Sequence, residues 1–366
     1  MSDLLYSEVE EDLRASVRDL LTDRAGFTSV LARTESAEPY DLKLWRTLAG
    51  DLGLAGLAVP ESLGGQGASY REVAVVLEEL GRSVAPVPFL GSAVLATTAL
   101  LAAGDRELVP RLAGGELIGA LAVPLTSAPE SGFPDGVSAN TEGALSGAVR
   151  AVVDAPVADV LIVPAAGPDG AGLYAVEQTA ATVSDVVSLD LTRRLADVSF
   201  DNASSRLLAS GAEAESALRQ ALRAGAGLLA SEQVGLAQRC LDETVAYLKQ
   251  RYQFGRPVGS FQALKHRLAD LYLELVSARA TARHAADALA TGDDEVPVAV
   301  AVAAATCSAV ALHAAEESVQ LHGGIGMTWE HSAHLYLKRA KSDELALGTP
   351  GRHRAALAGL VDLPPA

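Results

Sequence analysis

The hydrophobic pattern of this 366-residue chain changes period twice, and that restricts the folds open to it. Up to about residue 118, apolar residues recur at helical spacing. Leu13, Val17, Leu20 and Leu21 form one stripe, Leu44, Leu48 and Leu52 another, and Val73, Val76, Leu77 and Leu80 a third, closed by Gly81. Residues 59–67 (Val-Pro-Glu-Ser-Leu-Gly-Gly-Gln-Gly) break the pattern as a loop. From 119 to 211 the texture is different. Short apolar runs at Gly119–Val123, Val157–Val163 and Gly172–Val176 alternate with Gly, Pro and Asp clusters, predicting strands, with 124–143 irregular. Beyond 212 helical spacing returns: Leu218, Leu222 and Leu229, then Leu241, Val245 and Leu248; next Leu264, Leu268, Leu271 and Leu275; and a last run from Val298 to Leu321. The expected fold is α+β, mainly α. An N-terminal α-helical domain (1–118) and a middle β domain (119–211) precede a C-terminal α-helical four-helix bundle (212–366).

Composition narrows the function classes. With 46 acidic against 29 basic residues the net charge is −17, which argues against nucleic acid or an anionic membrane as the main partner. Aromatic residues are only 4%, so the core must rest on Leu, Val and Ala, which suits closely packed helices. Cys240 and Cys307 show no Cys-x-x-Cys spacing, so neither a disulfide framework nor a zinc cluster is expected, and a reducing cytoplasm fits. The acidic start (Glu8, Glu10, Glu11, Asp12) does not read as a signal peptide. The most apolar run, Val296 to Val310, contains Pro297 and is short for a membrane span, so a buried helix is expected.

Two segments carry chemistry. Residues 251–262 read Arg-Tyr-Gln-Phe-Gly-Arg-Pro-Val-Gly-Ser-Phe-Gln, where one long helix ends and another begins. Gly255 permits a turn, and Arg251 and Gln253 offer planar donors that could hold a pyrophosphate; a capped helix hairpin with a surface arginine fits the same residues. Residues 320–327 read Gln-Leu-His-Gly-Gly-Ile-Gly-Met, glycines after a helix that let a ligand approach the backbone or simply stop the helix.

Together these segments resemble the acyl-CoA dehydrogenase family: Arg-x-Gln-Phe-Gly-x-Pro-x-x-x-Phe-Gln, then Gln-x-x-Gly-Gly-x-Gly, then Lys338-Arg339-Ala340-Lys341 beside that family's Arg-Asp-Ala-Lys. The domain order agrees. The resemblance implies FAD as cofactor, with the pyrophosphate and adenosine end held across a subunit interface by Arg251, Gln253, Phe254, Phe261, Gln262, Gln320, Gly323 and Gly324. It adds Thr349, of a Gly-Thr pair, as a further cofactor contact. It also implies an acyl-CoA substrate and an electron-transfer flavoprotein as electron acceptor.

The chain departs from that family where the chemistry happens. Dehydrogenation requires a carboxylate to remove the α-proton. In the run resembling Arg-Asp-Ala-Lys-Ile-Tyr-Gln-Ile-Tyr-Glu-Gly-Thr, the position of the Glu is Leu347. Other members carry the Glu on the preceding long helix, at a position corresponding to Gly225, with substrate-holding Asp and Arg at positions corresponding to Arg223 and Ala226. Loop 124–132 and the strand Ala151-Val152-Val153-Asp154 lack the hydroxyl and aromatic groups that family members place on the flavin ring. The half of the site offered to a neighbour persists while the chain's own half is gone. The expectation is therefore a subunit without catalytic residues in a hetero-oligomer, a tetramer with a catalytic acyl-CoA dehydrogenase partner, as occurs in bacterial steroid side-chain degradation. A self-sufficient homo-oligomer with a relocated base and a flavin-free scaffold are the alternatives.

Other candidates read blandly. Glu344 lies near the lost base and is the one weak substitute. It and Asp343 otherwise read as solvated or helix-capping, and Glu316-Glu317 as a solvated helix face. His322, His331 and His334 lack a carboxylate at ligand spacing, so no metal is expected. No site is assigned to Arg193-Arg194.

Overall fold

The computed structural model describes residues 4–363. Six helices come first: α1 (Glu8–Arg24), α2 (Phe27–Thr34), α3 (Leu42–Arg46), α4 (Tyr70–Ser83), α5 (Thr97–Ala102) and α6 (Leu108–Ala113). Two of them open on reciprocal caps written in the sequence as Ser-x-x-Glu. At α1 the Glu10 N–H donates to Ser7 Oγ (3.3 Å) and the Ser7 N–H to Glu10 Oε2 (2.6 Å). Ser69 and Glu72 repeat the device at α4. Between α4 and α5, widened π turns over Phe89–Ala96 carry Leu95 into the core.

Eight strands follow: β1 (Gly119–Leu121), β2 (Val137–Ala139), β3 (Leu145–Val153), β4 (Val160–Gly167), β5 (Gly170–Glu177), β6 (Thr182–Val186), β7 (Leu195–Ala203) and β8 (Arg206–Ser210). They form one mixed sheet in the order β6-β7-β3-β2-β4-β5-β8, with β1 parallel to β4. Two expectations are corrected here. The run 157–163 does not begin as a strand: Ala155–Val157 form a tight turn around Pro156, which has no N–H to give a ladder, and pairing starts at Val160. The stretch 124–143 is not wholly irregular, since β2 lies within it. A register shift between Val149 and Val152 in β3 leaves Ala151 in the left-handed region (φ 52°).

The helical part then resumes with α7 (Gly211–Gln250), the hairpin β9 (Tyr252–Gln253) and β10 (Arg256–Pro257), α8 (Gln262–Thr291), α9 (Val296–His322), α10 (Ala333–Leu345) and α11 (Pro350–Leu360). At 40 residues α7 runs through the molecule, packing on α4 from the first domain and on α8 and α9 within the bundle. Glycines make the α4–α7 crossing possible. A Cβ at Gly81 would overlap the carbonyl oxygen of Glu232, and one at Gly235 that of Glu78, so the two backbones touch at reciprocal points. Helix α9 and the turn after it are apolar and long enough to cross a membrane, yet 67% of the most apolar window is buried within the protein, as for a core helix. One core joins the first domain to the bundle, while the sheet keeps a second core of its own.

Candidate functional site

At one end of the bundle, the last turns of α7 and α9 and the start of α8 enclose a groove of about 680 Å³. Tyr247 and Arg251 contribute one wall, Leu264 and Arg267 another, and Gln320 to Ile325 the third. Of the residues singled out by sequence, Arg251, Gln320, Gly323 and Gly324 line it. Gly323 takes φ 65°, and a Cβ on either glycine would meet open space, so the backbone here faces the groove unobstructed. The side chains of Arg251 and Gln320 make no hydrogen bond or ion pair among the described residues, whereas Arg267 is committed to Glu317 (2.8 Å). That pair corrects the reading of Glu317 as merely solvated.

The remaining expected contacts sit beside the groove on the β9–β10 hairpin and the start of α8. Phe254 and Gly255 form its two-residue turn with φ 54° and 74°. Both positive angles suit the twist of a tight hairpin, but only glycine adopts them without strain. The strained Phe254 is 89% exposed and meets Phe261 edge-on at 6.1 Å, and Arg256 stacks over Phe261 at 3.9 Å. Gln253 and Gln262 are exposed, with no side-chain partner among the described residues. Four planar donors (Arg251, Gln253, Gln262 and Gln320) are thus held out uncommitted around an open glycine backbone, a set suited to a pyrophosphate or a nucleobase. Behind them Tyr247, His322 and His331 stack at 4.5 and 4.2 Å, and His322 Nδ1 bonds the Ser318 carbonyl (2.7 Å). Burial and the neighbouring His322 hold His331 below the usual histidine range.

The two positions expected for a base converge on one spot, and it is full. A Cβ on Gly225 would lie 2.5 Å from Leu95 Cδ2 and 2.9 Å from Leu347 Cδ1. Leu347 is 1% exposed, sits at φ 55°, and donates its N–H to the Leu125 carbonyl (2.7 Å), which ties the end of the bundle to the loop of the middle domain. Leu95, from the π turns, was not legible as part of this locus. Arg223 pairs with Glu130 (3.0 Å) and Ala226 is buried. Val152 and Val153 are buried, so β3 offers no polar side chain there. Thr349 lies outside the groove, its hydroxyl accepting the Arg352 N–H as the cap of α11. Glu344 bonds Lys341 and is not directed to this spot by any contact.

The next residue back, Asp343, is not solvated as its sequence position suggested. It is buried in a charge cluster that joins α10 to α7 and to the loop before β7. Arg193 forks onto Glu232 (2.6 and 2.7 Å) and reaches Asp343, while Arg339 bonds Asp190, Glu232 and Thr192, each at 2.6 Å. Against the penalty of burial, Arg193 and Arg339 hold Glu232 below the usual carboxylate range. Two guanidinium groups face three carboxylates, and burial, opposed by Arg193 and reinforced by Glu232, pushes Asp343 up to about 8. Sequence reasoning missed this cluster because its members lie tens to 150 residues apart. Among the described residues, no group of three or more His, Cys, Asp or Glu side chains is placed to hold a metal ion.

With this arrangement of domains, groove and plug, the chain matches two family signatures: the acyl-CoA dehydrogenase N-terminal domain over residues 7–116 and the acyl-CoA dehydrogenase C-terminal domain over 215–359. The protein belongs to the acyl-CoA dehydrogenase family, oxidoreductases acting on CH–CH bonds. It is 40% identical over 345 residues to acyl-CoA dehydrogenase IpdE2 of Mycolicibacterium smegmatis, covering 94% of this chain and 96% of that protein. The IpdE2 of Mycobacterium tuberculosis is 38% identical, with 94% of each covered. Among solved structures, the ChsE4-ChsE5 complex from Mycobacterium tuberculosis is similar over the whole of both chains, with a TM-score of 0.88 and 28% identity. A Tcur3481-Tcur3483 steroid ACAD variant gives 0.84 at 31% identity, covering 97% of this chain and 98% of that one.

Proposed function

We propose that this chain is the subunit without a base in a heteromeric, FAD-dependent acyl-CoA dehydrogenase, and that it contributes half of a shared active site. The convergence of Leu347, Gly225 and Leu95 into one apolar plug carries this reading. None of these three side chains can accept an α-proton, and a Cβ at Gly225 would already fall within 2.9 Å of both leucines. The groove at the bundle end has the opposite character. Arg251 would set its fixed positive charge against a pyrophosphate, Gln253, Gln262 and Gln320 would supply neutral hydrogen bonds, and Gly323-Gly324 would admit the dinucleotide to the backbone. FAD bound there would supply the hydride acceptor of the dehydrogenation. The base and the acyl-CoA cavity would come from a second, catalytic acyl-CoA dehydrogenase subunit. The similarity to the ChsE4-ChsE5 complex and to a steroid ACAD supports both a two-subunit assembly and a steroid-derived acyl-CoA as substrate. Glu344, already bonded to Lys341, gives the self-sufficient alternative no support.

The test is the visible flavin spectrum of the chain purified alone and after co-expression with a catalytic partner. Little flavin alone and a yellow complex with fewer flavins than subunits are expected. Stoichiometric FAD and turnover from the lone chain would overturn the proposal.

A further inference from the structure

A second cleft shares no lining residue with the groove or the plug. It lies between α2, α3 and the sheet, encloses about 720 Å³, and carries Arg33, Lys43, Arg46 and Arg194 against only Glu38 and Asp185. Counting Asp41, 3.8 Å from Arg33, an excess of one positive charge stands in a chain of net charge −17.

The cations of this cleft pair more loosely than many elsewhere, although Arg24–Asp23 and Arg111–Glu116 are as loose, at 3.6 and 3.7 Å. Arg18 meets Glu79 at 2.6 Å, Arg71 meets Glu10 at 2.8 Å, and Arg206 meets Asp105 at 2.8 Å. In the cleft, Arg33 approaches Glu38 and Asp41 only to 3.9 and 3.8 Å, and Arg194 approaches Asp185 only to 3.5 Å. Lys43 and Arg46 make no ion pair among the described residues. Arg194 Nε is buried without a hydrogen-bond partner. Arg33 also donates to the Glu38 carbonyl at 3.3 Å, so Lys43, Arg46 and the Arg194 Nε are the donors left unspent on a concave surface of net positive charge.

We propose that this cleft is a second ligand site, one that takes a small phosphorylated molecule. Three guanidinium groups and an ammonium converging on one space match an anion with several oxygens and more than one charge, which a single carboxylate would satisfy only in part. The volume is that of a small-molecule pocket. Pro39, Val157 and Tyr40 are among the uncharged lining residues and would cover an apolar or planar body attached to the phosphate.

The experiment is calorimetric titration of the full chain at low salt, with inorganic pyrophosphate in one arm and ADP in the other. Four proteins are compared: the parent, a Lys43→Gln/Arg46→Gln double variant, Arg251→Ala, which reports on the bundle-end groove, and the combination of all three substitutions. Both cleft residues are exposed, so the double variant is expected to fold, with an unchanged melting temperature as the check. Saturable binding should survive Arg251→Ala, fall as salt is raised, and weaken by about tenfold or more when the two cleft substitutions are added to Arg251→Ala. Tighter binding of ADP assigns an organic phosphate, and equal binding assigns the phosphate group alone. Absence of saturable binding in Arg251→Ala, or no loss of affinity when Lys43→Gln and Arg46→Gln are combined with it, overturns the proposal. The proposal does not depend on the function of the groove, so each can fail without the other.

Discussion

Gly225 on α7 and Leu347 beyond α10 face each other so closely that a Cβ on the glycine would lie 2.9 Å from Leu347 Cδ1. The two positions expected for this family's base are therefore one place in space, closed by Leu95 from the first domain. A Leu347→Glu variant tests how closed it is. The new carboxylate would be buried against Leu95, costing about 3 kcal/mol or more of folding free energy. Urea unfolding should show that loss, and the lone chain should gain no dehydrogenase turnover. A variant as stable as the parent would show that water reaches the spot.

The crossing of α4 and α7 gives a paired prediction. Gly235→Ala would drive a methyl group into the Glu78 carbonyl, and neither backbone can yield without separating the helices. A loss of about 3 kcal/mol is expected, at the upper end of overpacking costs. Gly255→Ala is the control, because its Cβ meets open space and only the positive φ of 74° is penalised, by about 1 kcal/mol. Equal losses in chemical unfolding would mean that the crossing has room to give.

The cluster around Asp343 predicts a pH dependence. Two arginines cannot balance three buried carboxylates, and one proton on Asp343 restores neutrality. Its Oδ2 and the nearby Gln233 Oε1 are both buried without partners, as a donor bound to one of them would resolve. Because the folded pKa of about 8 lies above the unfolded value, the folded state holds the proton more tightly. The sign follows: this stabilisation is fully present below about pH 4 and is lost as pH rises through about 8, by at most about 1.4 kcal/mol per unit. Asp154, raised to about 6 chiefly by burial, contributes in the same direction at lower pH. Asp343→Asn carries no proton to lose, so its unfolding free energy should be flatter than the parent's between about pH 6 and 8. Parallel profiles would place the proton elsewhere.

What could be read from sequence, and what could not, divides by distance along the chain. The helical stripes and the turn at Gly255 are local, each set by residues within a few positions. Position 347 could be read as that of a missing base because the residues around it resemble the family's run. That Gly225 and Leu95 share its space could not, because α7 and the π turns meet it only in the folded chain. The Arg193, Glu232, Arg339 and Asp343 cluster was hidden for the same reason, and Asp343 looked solvated because a carboxylate near a helix end usually is. Strand β7 and all but the end of β3 escaped notice because their apolar residues do not form an unbroken run, and a register shift in β3 breaks the alternation.

Arg251 separates the shared-site reading from a flavin-free scaffold. Its guanidinium is exposed and makes no hydrogen bond or ion pair among the described residues, so nothing in the fold depends on it. Arg251→Ala should leave the unfolding free energy of the lone chain within about 0.5 kcal/mol of the parent's, as for a surface substitution away from any packed feature. In the complex with a catalytic partner, the same change removes a charge-assisted bond from a pyrophosphate, worth about 1.5–3 kcal/mol, or about a tenfold to hundredfold loss of FAD affinity. Flavin absorbance per complex after gel filtration measures it, and Arg251→Lys should recover only part, since an ammonium keeps the charge but not the fork. Unchanged flavin content would mean that the groove does not hold the cofactor, and that its uncommitted donors serve another ligand.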